Sequence, residues 1–228
     1  MQKISLDFTL SQFQSFINDV YGFTDDRLLS LPDLLANQNK YTMRTLKGIR
    51  KKDNKKIKHN LLISFSWCMS VAHRLHIDIE QIVWQRFPYV CLYCVGAPCV
   101  CKKIKPEKLA IIKPNNLEKP HTLQGFQGMF GKIYPAKSRK LSDAGIHMGE
   151  EMGELAESIH NYFGRHTKKR FTEVEYEIAD YVSHIFGVAN SIEINLVKEL
   201  TKMFEKGCHD CHKFPCNCSF LDVIDYRS

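Results

Sequence analysis

Five carboxylates in two short clusters are the residues of this chain best placed to do chemistry. They are Glu150, Glu151, Glu154, Glu177 and Asp180. Apolar residues recur with helical periodicity across 141–163 and 173–192, and the acids follow the edge of each apolar stripe. If the two predicted helices pack through their stripes, the two rows of carboxylates meet beside the interface.

Carboxylates that lie so close together repel each other unless cations neutralise them. Hard oxygen ligands on rigid helices, with places left for water and phosphate, suit Mg²⁺. The alternative is a solvated acidic face, which would be an ordinary interpretation of one such helix. Two clusters that both lie on the edge of a core make that alternative less favourable.

The acidic pattern resembles the motif of the MazG-like, all-α nucleoside triphosphate pyrophosphohydrolases, which is Glu-Glu-x-x-Glu, a spacer, then Glu-x-x-Asp. The flanking segments Gly149–Glu157 and Glu177–Asp180 match as well, and Thr122–Gln127 followed by Tyr134 resembles the family's lead-in. The resemblance covers roughly residues 121–206. It implies an all-α fold and hydrolysis of an NTP or dNTP to the monophosphate and pyrophosphate.

Roles for individual residues follow from the resemblance together with the residue chemistry. The predicted Mg²⁺ ligands are Glu151, Glu154, Glu177 and Asp180. Glu150 is either a further ligand or the base that deprotonates the attacking water. His184 is predicted to contact phosphate or base. Lys202 falls near the position of a phosphate-contacting lysine in the family, without the asparagine that usually follows.

The chain contains an internal repeat, residues 8–101 and 121–218. Thr9–Gln14 and Thr122–Gln127 share the pattern Thr-Leu-x-x-Phe-Gln at an offset of 113 residues. Two sets of four cysteines are related by an offset of 117 residues: Cys91, Cys94, Cys99 and Cys101, then Cys208, Cys211, Cys216 and Cys218.

Within each set, successive cysteines are separated by two, four and one residues, and Pro98 or Pro215 precedes the third cysteine. Nothing in the sequence marks secretion, so these sets predict metal binding before disulfides. We predict two structural Zn²⁺ ions per chain, each held by four thiolates in a knuckle that follows a helix. Ligation by His209 or His212, or sharing of ligands between the copies, stays open.

The first copy lacks the acids of the second. Asn60, Ile63 and Trp67 stand 117 residues before Glu177, Asp180 and His184. The segment Ala36–Lys52 contains no acid. We therefore predict a degenerate first copy that kept its fold. Because the resemblance implies a helical bundle shared by two subunits, the two copies are expected to pack as an intramolecular pseudo-dimer.

Charge divides the chain in the same way. The formal net charge is +7, and it arises from residues 1–101 and 102–120, whereas 121–228 carries more Asp and Glu than Lys and Arg. Residues 102–120 hold three prolines and six lysines, which predicts a basic linker between two domains.

The densest basic run is Lys47–Lys58, which includes Arg50 and Lys51. Three interpretations stay open. The run is a solvated loop, or it binds nucleic-acid phosphates, or Arg50 and Lys51 reach the site of the second copy and hold the triphosphate.

The predicted function is thus a Mg²⁺-dependent nucleoside triphosphate pyrophosphohydrolase with two structural zinc sites. The alternative is a zinc-stabilised nucleic-acid-binding or scaffold module with a vestigial acidic site, and a protein partner for the first copy is also possible. The N-terminal residues have no signal-peptide character, and the most apolar run, Leu61–Ala72, is short and broken by serines. We therefore expect a cytoplasmic protein, with further self-association left open.

Overall fold

The computed structural model of the protein is all-helical over the residues that it describes, which are 4–104, 106–110 and 112–226. This confirms the predicted all-α class. The predicted domains and linker also include residues 1–3, 105, 111 and 227–228, which lie outside the described residues. None of the helices in the described ranges combines the length and the apolar character needed to cross a membrane.

The helices are numbered in chain order. They are α1 Leu10–Leu28, α2 Leu31–Lys51, α3 Asn54–Arg74, α4 Ile79–Arg86, α5 Cys101–Ile104, α6 Leu123–Ile133, α7 Leu141–Gly164, α8 Lys168–Ser191, α9 Leu196–Met203 and α10 Phe220–Asp225. Two short 3-10 helices, Asn116–Glu118 and Ala136–Ser138, flank α6.

The apolar stripes of α7 and α8 are buried as the periodicity predicts. Met148, Met152 and Leu155 of α7 are almost fully buried, and so are the stripe residues of α8. Phe163 continues the predicted stripe of α7, but half of its surface is exposed. It lies one residue before the end of α7.

Corresponding contacts occur in the two copies of the repeat, residues 8–101 and 121–218, which we call the first half and the second half. The side chain of Gln14 on α1 donates to Ile77 O at 2.7 Å and accepts from Ile79 N–H at 3.1 Å, which ties α1 to the start of α4. Gln127 on α6 makes the same two hydrogen bonds at 2.6 and 2.9 Å to the backbone at the start of α9. Both side chains are buried, so these hydrogen bonds replace the bonds to water that the two amides would otherwise make.

Helices α2 and α7 pack closely and in opposite directions. A Cβ at Gly145 would lie 2.6 Å from Ile49 Cδ1, and one at Gly149 would lie 3.0 Å from Leu46 Cδ1. The two glycines therefore let the first half approach α7 more closely than any larger residue would allow. Helix α4 also packs against α8, so two helices of the first half border the pair that carries the acids.

Each cysteine segment is bonded to the first helix of the other half. Cys99 N–H donates to Ile133 O at the end of α6 at 2.8 Å, and Cys216 N–H donates to Val20 O in α1 at 2.7 Å. The donors are 117 residues apart and the acceptors 113, which are the two offsets of the sequence repeat.

Candidate metal centres

Helices α7 and α8 bring three carboxylates of the predicted motif together. Glu151, Glu177 and Asp180 each offer one oxygen, and these oxygens lie within 4.8 Å of one another. Glu177 and Asp180 are three residues apart on α8, which places both on the face that Glu151 of α7 approaches. We call these three residues the acidic triad. Glu150 and Glu154 lie outside it and are exposed.

The triad carries more negative charge than its surroundings neutralise. Burial, and then the charge of Asp180, raises the pKa of Glu151 to about 7. Burial, Asp180 and Glu151 raise the pKa of Glu177 to about 7 as well. Glu154 is affected more weakly, since burial and the charge of Glu151 raise its pKa above the ordinary value. The side chains therefore favour a proton or another cation at this place.

Several buried polar atoms beside the triad lack hydrogen-bond partners among the described residues. They are Glu151 Oε2, Glu177 Oε2 and His184 Nδ1. Buried polar atoms in native proteins nearly always have partners, so these oxygens are suited to bind a cation. Carboxylate oxygens on two rigid helices fit a hard divalent cation such as Mg²⁺, with waters completing its shell.

A cation from the first half occupies part of this site. Arg86, the last residue of α4, donates Nε–H to Asp180 Oδ1 at 3.0 Å and Nη2–H to Asp180 Oδ2 at 2.7 Å. Its guanidinium also lies 4.5 Å from the ring centroid of Tyr176. The pair is largely buried, so it is screened little by solvent. A metal ion at Asp180 must share that carboxylate with Arg86 or displace it.

His184 and Glu150 border the triad. His184 Nε2 lies 3.4 Å from Glu151 Oε1, and burial, followed by the charges of Arg139 and His147, lowers the His184 pKa to about 4. The ring is therefore neutral at physiological pH and contributes no formal charge. Glu150 instead accepts a hydrogen bond from His147 Nδ1 at 2.8 Å on the exposed side of α7.

The four sulfur atoms of each cysteine set converge as well. They lie within 4.8 Å of one another in both sets, and the closest pairs are 3.5 to 3.9 Å apart. All eight cysteines are free thiols rather than disulfides. Four sulfurs about 2.3 Å from a tetrahedral Zn²⁺ would be about 3.8 Å apart, so both sets fit that ion.

Within each set, one cysteine favours the thiolate, whereas burial raises the pKa values of its neighbours Cys101 and Cys218. Burial acts to raise the pKa of Cys94, but backbone N–H groups of Val100 and Gly96 outweigh it and lower the pKa to about 6. A hydrogen bond from Cys216 lowers the pKa of Cys208 to about 4. His209 Nδ1, an alternative ligand, is instead 2.6 Å from the Tyr21 hydroxyl. Four cysteines per set are therefore the better ligand assignment.

Comparisons of the chain with protein-family models, with curated proteins and with solved structures find no match. The MazG-like resemblance therefore stays a prediction that rests on the motif residues.

Lys202, predicted to contact phosphate, has other partners. Its ammonium lies 2.8 Å from Glu199 Oε1, and Lys58 of the first half lies 2.6 Å from Glu199 Oε2. The side chain of Lys202 is exposed on α9. The structure thus places Lys202 in a cluster of three charges that is separate from the triad.

Arg50 and Lys51 lie at the exposed end of α2. Neighbouring Ile49 packs beside Gly145, six residues before Glu151 on α7. Six residues of helix span about 9 Å. The antiparallel packing therefore places these cations at the start of α7, and the triad receives its first-half cation from Arg86.

Arg86 is the residue at the triad that sequence reasoning missed. It does not belong to the acidic motif, and in the repeat the position 117 residues after Arg86 is Met203. The only sequence signal is that difference in charge between two equivalent helix ends. It points to Arg86 only once α4 is known to pack against α8.

Proposed function

We propose that the protein is a Mg²⁺-dependent nucleoside triphosphate pyrophosphohydrolase of the MazG-like kind, which converts an NTP or dNTP and water to NMP and pyrophosphate. The observation that carries this proposal is the acidic triad, at motif positions, with two buried carboxylate oxygens that lack partners. A vestigial acidic cluster gives no reason for three acids to be held close together at such an electrostatic cost.

Glu151, Glu177 and Asp180 would hold the metal, and Glu154 would complete the ligand set from the exposed side. When bound, Mg²⁺ supplies the charge that neutralises the triphosphate and lowers the pKa of an attacking water. Glu150 is the proposed base, because its carboxylate is accessible. His147 at 2.8 Å holds that carboxylate in place, and the exposed Glu150 can release the proton to solvent.

The corresponding hydrogen bonds of Gln14 and Gln127 support the second part of the proposal, that two copies pack as an intramolecular pseudo-dimer with one catalytic site. Helix α4 of the first half supplies Arg86 to that site. At the positions on α3 that correspond to the acids of α8, the first half carries Asn60 and Ile63. These two residues provide no carboxylate, so the first half is proposed to act as a scaffold and cation donor.

The test is incubation of the purified protein with a panel of NTPs and dNTPs plus Mg²⁺, followed by identification of the products. We expect pyrophosphate and a monophosphate from at least one nucleotide. Glu177→Gln should reduce the rate at least about 100-fold, because it removes one charge from the metal site. Glu173→Gln, one turn earlier on the exposed face of α8, is the matched control and should leave the rate within about twofold.

Release of inorganic phosphate in place of pyrophosphate would refute the reaction. Equal activity of Glu177→Gln and the parent would refute the site.

One observation favours a second candidate, the zinc-stabilised nucleic-acid-binding module. The cations around the turn between α2 and α3 are exposed: Arg50, Lys51, Lys52, Lys55 and Lys56. Such a surface suits phosphate backbones. If the protein hydrolyses no nucleotide and binds DNA or RNA with strong salt dependence, this candidate replaces the first.

A further inference from the structure

A second arginine, Arg139, packs against α8 near His184, and its buried donors have no partner among the described residues. Two nitrogens of the Arg139 guanidinium, Nε and Nη2, are inaccessible to solvent and make no hydrogen bond within the described residues. Guanidinium stays protonated in proteins, so Arg139 cannot relieve this by losing its charge. A buried charge without a partner is costly, and such groups persist at functional sites.

The fold makes specific room for this side chain. A Cβ at position 187 of α8 would overlap the Arg139 guanidinium, so Gly187 is needed for Arg139 to lie against the helix. Gly187 is one turn after His184 and two turns after Asp180. Arg139 is therefore held against the helix that carries two of the three triad acids.

The unsatisfied atoms at this place are of two kinds. Glu151 Oε2 and Glu177 Oε2 are acceptors that a cation would satisfy, whereas Arg139 Nε and Nη2 are donors that require an anion. Arg86 does not require an additional anion, because its guanidinium is already paired with Asp180. A metal ion alone would satisfy only the carboxylates. A metal-bound polyphosphate satisfies both kinds of atom, since its oxygens bind the metal and accept from guanidinium.

We propose that Arg139 binds a phosphate oxygen of the metal-bound substrate at the acidic site. The inference rests on the proposed function and adds to it a substrate-contacting cation from the segment before α7. Gly187 is the accompanying positioning residue, because it allows the guanidinium to lie against the helix that carries Glu177 and Asp180.

The test measures binding rather than turnover. Inorganic tripolyphosphate with Mg²⁺ is titrated into the parent and into Arg139→Met by calorimetry. The variant loses charge-assisted hydrogen bonds to the phosphate, so it should bind at least about tenfold more weakly. Lys137→Met is the matched control, because it removes one exposed cation two residues away and should bind within about twofold of the parent.

Thermal unfolding of the ligand-free proteins separates this role from a structural one. Removal of an unpaired buried charge should leave the unfolding temperature of Arg139→Met unchanged or higher. If that temperature falls instead, Arg139→Lys decides the case. Lysine that restores both stability and part of the affinity supports the proposal, and lysine that restores stability alone overturns it.

The proposal is also overturned if the parent does not bind the probe, or if Arg139→Met binds it as tightly as the parent. Binding of tripolyphosphate needs no hydrolysis, so the two proposals fail separately. A parent that binds the probe through Arg139 but cleaves no nucleotide refutes the proposed function alone. An active parent whose Arg139→Met variant keeps full affinity refutes the Arg139 proposal alone.

Discussion

At the scale of single residues, Glu151 and Glu177 are acids whose folded state favours a bound proton. Their pKa values of about 7 lie above the ordinary value of 4.5, because burial and neighbouring carboxylates penalise the charged forms. The tighter proton binding of each group in the folded state therefore contributes fully to the free energy of unfolding below about pH 4.5. That contribution is lost as pH rises through about 7.

This predicts a pH-dependent difference between the parent and Glu177→Gln in Mg²⁺-free buffer. The glutamine variant should be the more stable protein at about pH 8, by at least about 1 kcal/mol in free energy of unfolding, and the advantage should shrink toward pH 5. Added Mg²⁺ should stabilise the parent more than the variant at about pH 8. Denaturant unfolding at several pH values measures this. A pH-independent difference would mean that the Glu177 charge is already neutralised within the protein.

At the scale of helices, the packing of α4 against α8 brings Arg86 of the first half into hydrogen-bond contact with Asp180 of the second half. Removal of Arg86 leaves Asp180 uncompensated, which should lower the stability of the metal-free protein. It also removes a competitor for the carboxylate. Arg86→Met, which copies Met203 of the equivalent helix, should therefore bind Mn²⁺ at least about tenfold more tightly in the absence of nucleotide.

The matched control for Arg86→Met is Lys119→Met. It removes another partly buried cation bonded to α4, through the 2.7 Å ion pair with Glu80. Calorimetric titration with Mn²⁺ measures the affinity of both variants, and that of Lys119→Met should equal the affinity of the parent. Weaker Mn²⁺ binding by Arg86→Met would show instead that Arg86 orients Asp180 for the metal.

At the scale of the whole molecule, the cysteine segments join the two halves. The second segment donates to α1 through Cys216 N–H and accepts through Cys216 O from the Thr24 hydroxyl at 2.7 Å. Loss of metal from one set should therefore destabilise the first helix of the opposite half as well as its own.

We expect two zinc ions per chain by elemental analysis, and one in Cys211→Ser. That variant should unfold in a single transition at a temperature lower by several degrees, since a loss of about 2 kcal/mol or more shifts a domain of this size by that much. Cys68→Ser, in the buried core of α3, should keep both zinc ions. Two separate unfolding transitions in Cys211→Ser, or a fully folded metal-free parent, would contradict this prediction.

The local parts of these sites could be predicted from residue types and their spacing. Residues three or four apart on a helix share a face, so the spacing of Glu177 and Asp180 and the stripes of α7 and α8 predict where those side chains point. The cysteines of each set lie within eleven residues, so any compact loop brings their sulfurs near one another. Both sulfur clusters followed from such short-range geometry. The all-α class was implied by the family resemblance, and the convergence of the acids depended on the packing of α7 against α8 through their stripes.

The identity of the distant residues that complete the sites depends on how the helices pack. The pairing of Arg86 with Asp180 spans 94 residues, and it depends on the packing of α4 on α8. The antiparallel contact of α2 with α7 likewise placed Arg50 and Lys51 beside the start of α7. Side-chain packing between helices sets these arrangements, and it depends on the shapes of both surfaces at once. A pattern of residue types along one chain does not contain that information.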